Sequence, residues 1–208
     1  MSLSRQYSFW GSLSPLGGLT GAGLLIMASA RLSWAITVAG GLFWVYGFSA
    51  FVYSAISTYA VKILPEKGRA AIYTCIASFF GSIYLLLFWL LCPFAALENF
   101  LLLLLVPLFC ACSGISENPA ADIFENVSDS VSQAASLSGL LIIFSIVREP
   151  LSYCSLSFPG TSQGIVTIMY FTEGAFLPIG IFSHSAGALI LLGFIICLYQ
   201  SSKGNRGE

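Results

Sequence analysis

Charge is what this sequence has least of. Only 8% of its 208 residues are charged, while 57% are hydrophobic; an ordinary soluble domain carries about 25% charged residues. Such a chain cannot cover itself with water-facing surface, which excludes a soluble globular domain and leaves lipid as its solvent. A net charge of −1 argues against nucleic acid as a partner. Histidine is nearly missing too: His184 stands alone, and one imidazole cannot make a metal site by itself. No Gly-rich phosphate loop follows a strand, no Ser/His/Asp grouping is visible, and no two carboxylates share a helix face within an apolar run. Those absences leave no hydrolase or kinase chemistry to assign. The six cysteines (Cys75, Cys92, Cys110, Cys112, Cys154, Cys197) fall mostly inside apolar runs. Their spacing gives neither a zinc signature nor a secreted disulfide framework.

What the chain does have is apolar length. A membrane-spanning helix needs about 20 apolar residues. Spans are expected at about Gly11–Ala30, Leu32–Thr58, Ala70–Phe94, Phe100–Gly114, Gln133–Val147 and Pro178–Tyr199. The stretch Gly164–Leu177 is apolar but interrupted, and reads as interfacial or re-entrant. Nearly all of the chain is used in spanning, so residues 1–208 form one integral membrane domain with no soluble domain. The run after Arg5 contains Pro15, Gly17 and Gly18 but no convincing small-x-small cleavage site, so it reads as a retained first helix. With six spans, Arg5, Lys62, Lys67, Arg69, Lys203 and Arg206 share one side, and Arg31 and Arg148 the other. The excess of Lys and Arg puts both termini and the Val61–Arg69 loop in the cytoplasm. The acidic loop Ile115–Ser132 (Glu117, Asp122, Glu125, Asp129) falls on the same side. Acidic residues count little in that rule.

The spans divide into two halves, about 1–97 and 98–208, and each half opens with an interrupted segment. The first reads Trp10-Gly-Ser-Leu-Ser-Pro15-Leu-Gly-Gly18; the second reads Leu105-Val-Pro107-Leu-Phe-Cys110-Ala-Cys112-Ser113-Gly114. Both contain Pro-Leu followed by small residues. Three spans per half oblige the second half to enter the membrane from the opposite face, which is the pattern of an inverted repeat. The expected fold is therefore all-α and membrane-integral, with about six transmembrane helices in two inverted three-helix halves and two broken half-helices. Simple kinks at Pro15 and Pro107 are the plainer alternative. The glycines at 17, 18, 21, 23, 40, 41, 47, 187 and 193 suit close helix approach.

A few polar residues remain. Arg148-Glu149 precedes Pro150, and proline disfavours helix at the residue before it, so the fifth span is expected to end here. The pair is either a snorkelling Arg with a solvated Glu, or a fixed charge pair that docks a partner or shapes an ion path. His184 and Glu173 read as interfacial, although an ionisable group at membrane depth points to function by default.

In order along the chain these motifs resemble one family, the membrane subunits of Rnf complexes (ion-translocating ferredoxin:NAD oxidoreductases) and of the related sodium-translocating NADH:quinone reductases. Those complexes contain two homologous six-span subunits with inverted three-span halves. The family's Gly-Leu-Cys-Pro-Leu is matched by Gly11-Ser-Leu13-Ser14-Pro15-Leu16, and its second Pro-Leu by Pro107-Leu108. Its Arg-Glu after the fifth span is matched by Arg148-Glu149. Ser185-Ala186-Gly187-Ala188-Leu189 stands where the last span has Pro-Gly-Ala-Phe. The match is closer to the E-type Rnf subunit (D-type in the quinone reductase) than to its partner.

The resemblance implies a bacterial inner-membrane subunit of an ion-translocating oxidoreductase. It would not be catalytic alone, and would help electrons cross the membrane coupled to cation transport, beside a homologous six-helix subunit and other redox subunits. It also implies a [2Fe–2S] cluster shared with that partner and held by cysteines of the broken helices, four thiolates being the usual ligation. In strict register this chain has Ser14 and Ser113 there, with Cys112 one residue early and Cys110 three. The cluster then uses Cys112 or, second, Cys110; or it is lost, leaving a scaffold or ion-path subunit; or the chain is a divergent paralogue. A six-helix transporter or substrate-binding component without redox role is the reading from another class, and a purely structural membrane subunit is the third.

Overall fold

The computed structural model describes residues 15–60, 66–113, 123–160, 165–170 and 180–204. Its helices are α1 (Pro15–Ala28), α2 (Leu32–Ala60), α3 (Glu66–Leu91), α4 (Pro93–Glu98), α5 (Phe100–Ser113), α6 (Ile123–Tyr153) and α7 (Ser185–Gly204). Two strands, β1 (Ser155–Pro159) and β2 (Ile165–Tyr170), pair antiparallel between α6 and α7, and a 3-10 turn, Gly180–Ser183, leads into α7.

Each expected span coincides with a helix. Three contain stretches long and apolar enough to cross a membrane: Leu32–Ile56, Ala71–Leu91 and Ile123–Tyr153. The other three hold shorter apolar helices, Gly17–Ala28, Phe100–Ser113 and Ser185–Ile195. The protein is thus a helical chain with the helices of a membrane protein. The side chains that α3 and α5 turn outward, among them Phe79, Leu86, Trp89, Leu90, Leu101 and Leu104, are large, apolar and exposed, as lipid requires.

Several boundaries differ from expectation, each for a physical reason. Helix α6, the fifth expected span, starts ten residues earlier, at Ile123. Part of the acidic loop, Glu125 and Asp129 included, is its exposed first turns. It also runs past Pro150 to Tyr153. Proline deprives the helix of a single donor, and the bonds made by Arg148 and Glu149 hold the last turn in place. Pro107 likewise sits inside a continuous α5 and does not interrupt it. The stretch read as interfacial holds strand β2, whose Ile165-Val-Thr-Ile run is rich in β-branched residues. Residue Cys154, at φ 50°, turns the chain off the end of α6 and into β1. The short α4 between α3 and α5 is an element the apolar pattern hides.

The core lies where five helices meet. Leu24 and Leu25 of α1, Val38, Leu42, Val45, Tyr46 and Tyr53 of α2, Tyr73 and Ala77 of α3, Leu102, Val106 and Phe109 of α5, and Leu137 and Leu141 of α6 form one cluster. Apolar lipid gives helices no hydrophobic reason to associate, so close van der Waals contact and polar bonds must hold them. Glycine supplies the contact. A Cβ on Gly21 would lie 2.8 Å from the Phe109 ring, and one on Gly81 2.7 Å from Cβ and Cγ of Pro107. Gly40 and Gly41 seat Tyr84, whose hydroxyl donates to the Thr37 carbonyl at 2.8 Å. Gly18, Gly23 and Gly193 meet nothing within 4 Å.

This packing is checked by paired substitutions. Gly81→Ala drives a methyl into a proline ring that α5 holds rigid, and is expected to cost about 1–3 kcal/mol. Gly23→Ala, in open space, is expected to be neutral or to stabilise by up to about 1 kcal/mol. Thermal melting in detergent measures both, and an unchanged Gly81→Ala contradicts the contact of α3 with α5.

Candidate functional site

Two polar groupings interrupt the apolar interior. The first is built on Arg148 and Glu149, each 1% exposed. Successive residues of a helix do not face the same neighbour, and the two side chains leave α6 for different elements.

The Arg148 guanidinium joins three segments. Its Nε donates to the Phe182 carbonyl at 2.8 Å. One terminal nitrogen donates to the Ile26 carbonyl at 2.6 Å and to Ser29 Oγ at 2.9 Å. The other donates to the carbonyls of Ser183 at 3.3 Å and His184 at 3.1 Å. A guanidinium has five N–H donors, and each of the five has an acceptor here. Ile26 belongs to the last turn of α1, whose carbonyls lack helical partners. Phe182 and Ser183 end the 3-10 turn. His184 caps α7, its carbonyl also accepting from Gly187 N at 3.1 Å and Ala188 N at 3.3 Å. Gly187 lies against the Ile181 carbonyl, where no side chain fits.

Glu149 serves the neighbouring helix. Its Oε2 accepts the backbone N–H of Leu32, the first residue of α2, at 2.7 Å. A carboxylate thus stands at the positive pole of α2 and a guanidinium at the negative pole of α1. Helix dipoles stabilise such charges by about 0.3–1 kcal/mol, and up to about 2 when partly buried. Beside them the Arg31 guanidinium lies between Trp34 and Tyr153, 5.6 and 5.3 Å from the ring centres.

The second grouping lies about 20 Å further along α2, on the 1.5 Å rise per residue from Leu32 to Tyr46. The hydroxyls of Tyr46 and Ser113 are 2.6 Å apart, and Ser113 also donates to the Cys110 carbonyl at 3.0 Å. The Tyr73 hydroxyl lies 2.9 Å from Cys110 Sγ, and the Tyr53 ring meets that of Tyr73 edge-on at 5.4 Å. Tyr46, Tyr53, Tyr73 and Cys110 are all buried.

Of the residues singled out in the sequence, the structure gathers Cys110 and Ser113 into this second grouping. Cys112, on the same helix, is half-buried. Pro107 sits one turn earlier against Gly81. Ser14 lies outside the described residues, as does Glu173, and Pro15 opens α1. Arg148 and Glu149 stand apart from Pro107, Cys110, Cys112 and Ser113, at the start of α2. Sequence reasoning missed Tyr46 and Tyr73, two tyrosines among nine, and Ser29. It also missed the backbone acceptors around Arg148, which carry no signature at all.

The two thiols of α5 do not face one site. The buried thiol, Cys110, is held by a tyrosine hydroxyl. Cys112, two residues on, leaves the helix in another direction. Among the described residues no group of three or more His, Cys, Asp or Glu is placed to hold a metal. What the arrangement does do is fasten helices: α1, α2, α6 and α7 through Arg148 and Glu149, and α2, α3 and α5 through the tyrosine pair. No known family model matches the chain, and no curated protein is significantly similar to it.

Arg148→Met strips the donors from three segments at once. Leaving buried carbonyls unpaired is expected to cost about 3–5 kcal/mol. Lysine, with three donors on a single nitrogen, restores only part of that. Glu149→Gln keeps an oxygen for Leu32 N and is expected to lose about 1 kcal/mol, the usual scale of a helix cap. Melting temperatures in detergent rank the three, and wild-type stability in Arg148→Lys contradicts the assignment.

Proposed function

We propose that this chain is a multi-pass membrane subunit of an Rnf/Nqr-type ion-translocating redox complex, acting as a scaffold and ion-path member beside a homologous six-helix subunit. The observation that carries the reading is which helices meet. Helix α1 packs on α5, and α2 makes its most extensive contact with α6. Those are the first helix of one half on the first of the other, and the second on the second; the third pair, α3 and α7, makes no comparable contact among the described residues, and α5 also packs on α3. An inverted duplication about an axis in the membrane plane brings like elements together in this way. The redox component rests on the resemblance of the motifs around Pro15, Pro107 and Arg148-Glu149. In this reading α1, α5 and α7 complete six crossings, and both termini are cytoplasmic by the distribution of Lys and Arg. The membrane is the bacterial inner membrane. Arg148 and Glu149 act as the clamp that holds helix ends in register while partners and ions move past them.

Purification of the tagged chain from its native membrane tests this. The expected result is a complex that contains flavin- and iron-bearing subunits together with a second six-helix protein. Cys112→Ala is expected to leave the complex's iron–sulfur absorbance unchanged. Recovery of the chain with an ATP-hydrolysing module and no flavin contradicts the reading in favour of a transporter. Loss of iron in an assembled Cys112→Ala complex contradicts the scaffold role.

A further inference from the structure

The outward side of α6 changes character along its length. Towards Arg148 it is apolar, with Ile143, Ile146 and Val147 exposed. Towards the N-terminus it carries Glu125, Asp129, Ser132, Gln133 and Ser136, all exposed. Asp129, Gln133 and Ser136 stand at i, i+4 and i+7 and so form one stripe. Among the described residues α6 packs chiefly on α2, and it does so with its opposite side, where Ala134, Leu137 and Leu141 enter the core.

This stripe lies at membrane depth. Leu32 N meets Glu149 at one end of the α2–α6 contact, and Gly47 lies against Val131 further along, so the two helices run antiparallel. Gly47 is near the middle of the apolar stretch Leu32–Ile56. Asp129 and Gln133 are each two residues from Val131, about 3 Å along the axis, well inside a hydrocarbon core about 30 Å thick. The other helices show what lipid touches at that level. Helix α2 exposes Phe51, one turn past Gly47. Phe80 of α3 stacks on Phe48 at 5.5 Å, and its neighbour Phe79 is exposed. Lipid thus meets phenylalanine on α2 and α3 where α6 presents a carboxylate and an amide. An ionisable side chain inside the membrane faces protein or water, not lipid.

We propose that this stripe of α6 is the docking face for a transmembrane helix of a different subunit, one that brings a basic or amide side chain to Asp129 and Gln133. The charges of the stripe, Glu125 and Asp129, are both negative, and the one basic residue of α6, Arg148, is buried near the far end. A second copy of this chain, related by a two-fold axis along the membrane normal, would set Asp129 against its own twin, and like charges oppose that pairing. Ser132, Ala135 and Gly139 lie beside the stripe, and nothing comes within 4 Å of a Cβ built on Gly139. Small residues of this kind let a neighbouring helix approach closely. The proposal rests on the subunit reading for the existence of a partner, not for that partner's cofactors.

Benzoylphenylalanine introduced at Gln133 of the full chain in native membranes tests it, with Phe79 as the lipid-facing control. Irradiation is expected to give a protein adduct at position 133, at least tenfold above that at 79. The cross-linked peptide is expected to be a membrane segment of a different chain with a Lys, Arg, Asn or Gln within one turn. Asp129→Lys is expected to lower that adduct at least tenfold and to leave the melting temperature of the purified chain unchanged. Adducts to lipid alone at 133, an adduct to a second copy or within the chain itself, a partner segment without polar side chains, or an undiminished adduct in Asp129→Lys each overturns the proposal. A partner subunit found here in a complex without flavin or iron contradicts the redox reading and leaves this face assigned. A flavin- and iron-bearing complex with lipid adducts at 133 does the reverse.

Discussion

A buried guanidinium must give all five of its N–H groups to acceptors or bear the cost of leaving them unpaired. In this chain that demand fixes the meeting of four helix ends. Arg148 finds its acceptors at the end of α1, in the 3-10 turn and at the cap of α7. Its neighbour Glu149 takes the first N–H of α2. The two charges answer to helix poles instead of to each other, so neither can be removed without freeing backbone groups in another segment. In lipid, where apolar side chains gain nothing by leaving solvent for one another, a few bonds of this kind decide which helices stay together.

Midway along α2 the same logic operates with neutral groups. Tyr46 and Tyr73 reach from α2 and α3 to Ser113 and Cys110 of α5. Between the two polar groupings the helices approach through glycine, with Gly21 under Phe109 and Gly81 under Pro107. Pro107 is thus a packing surface as much as a helix irregularity. It explains how a proline inside a short helix can be accommodated: α3 presents a glycine to its ring. Helix α7 differs from the rest. Gly187 and Ala188 are buried at its start, while Leu189, Ile190, Phe194 and Ile195 are exposed, so the turn that Arg148 holds is its main attachment, beside Leu192 on the core and a smaller contact with α1.

Much of the helical architecture was legible in the sequence, because apolar runs of span length have few other uses. All six expected spans coincide with helices, although three have apolar stretches shorter than a crossing needs. The hairpin was less legible: Ser155–Tyr170 is uncharged, and an apolar run in such a chain reads as membrane before it reads as strand. The Pro-Gly and Ser-Gln-Gly between its two runs were the available turn signal. The extension of α6 past Pro150 was hidden because it depends on tertiary bonds made by the two preceding side chains. Arg148-Glu149 was visible as a charged pair in an apolar setting. That its partners are carbonyls of residues 26, 182, 183 and 184 was not, since a carbonyl looks the same at every position. Cys110 and Ser113 were singled out as cluster donors for their place after Pro107; their tyrosine partners come from helices far away in sequence.

The claim that Arg148 holds helix ends together is tested most directly by hydrogen–deuterium exchange in lipid nanodiscs, comparing the wild type with Arg148→Lys. The account predicts faster exchange, in concert, at the end of α1 and, more than 100 residues away in the chain, in the 3-10 turn and at the start of α7, segments that all bond to Arg148. Faster exchange confined to α6, with those segments as protected as in the wild type, would contradict it.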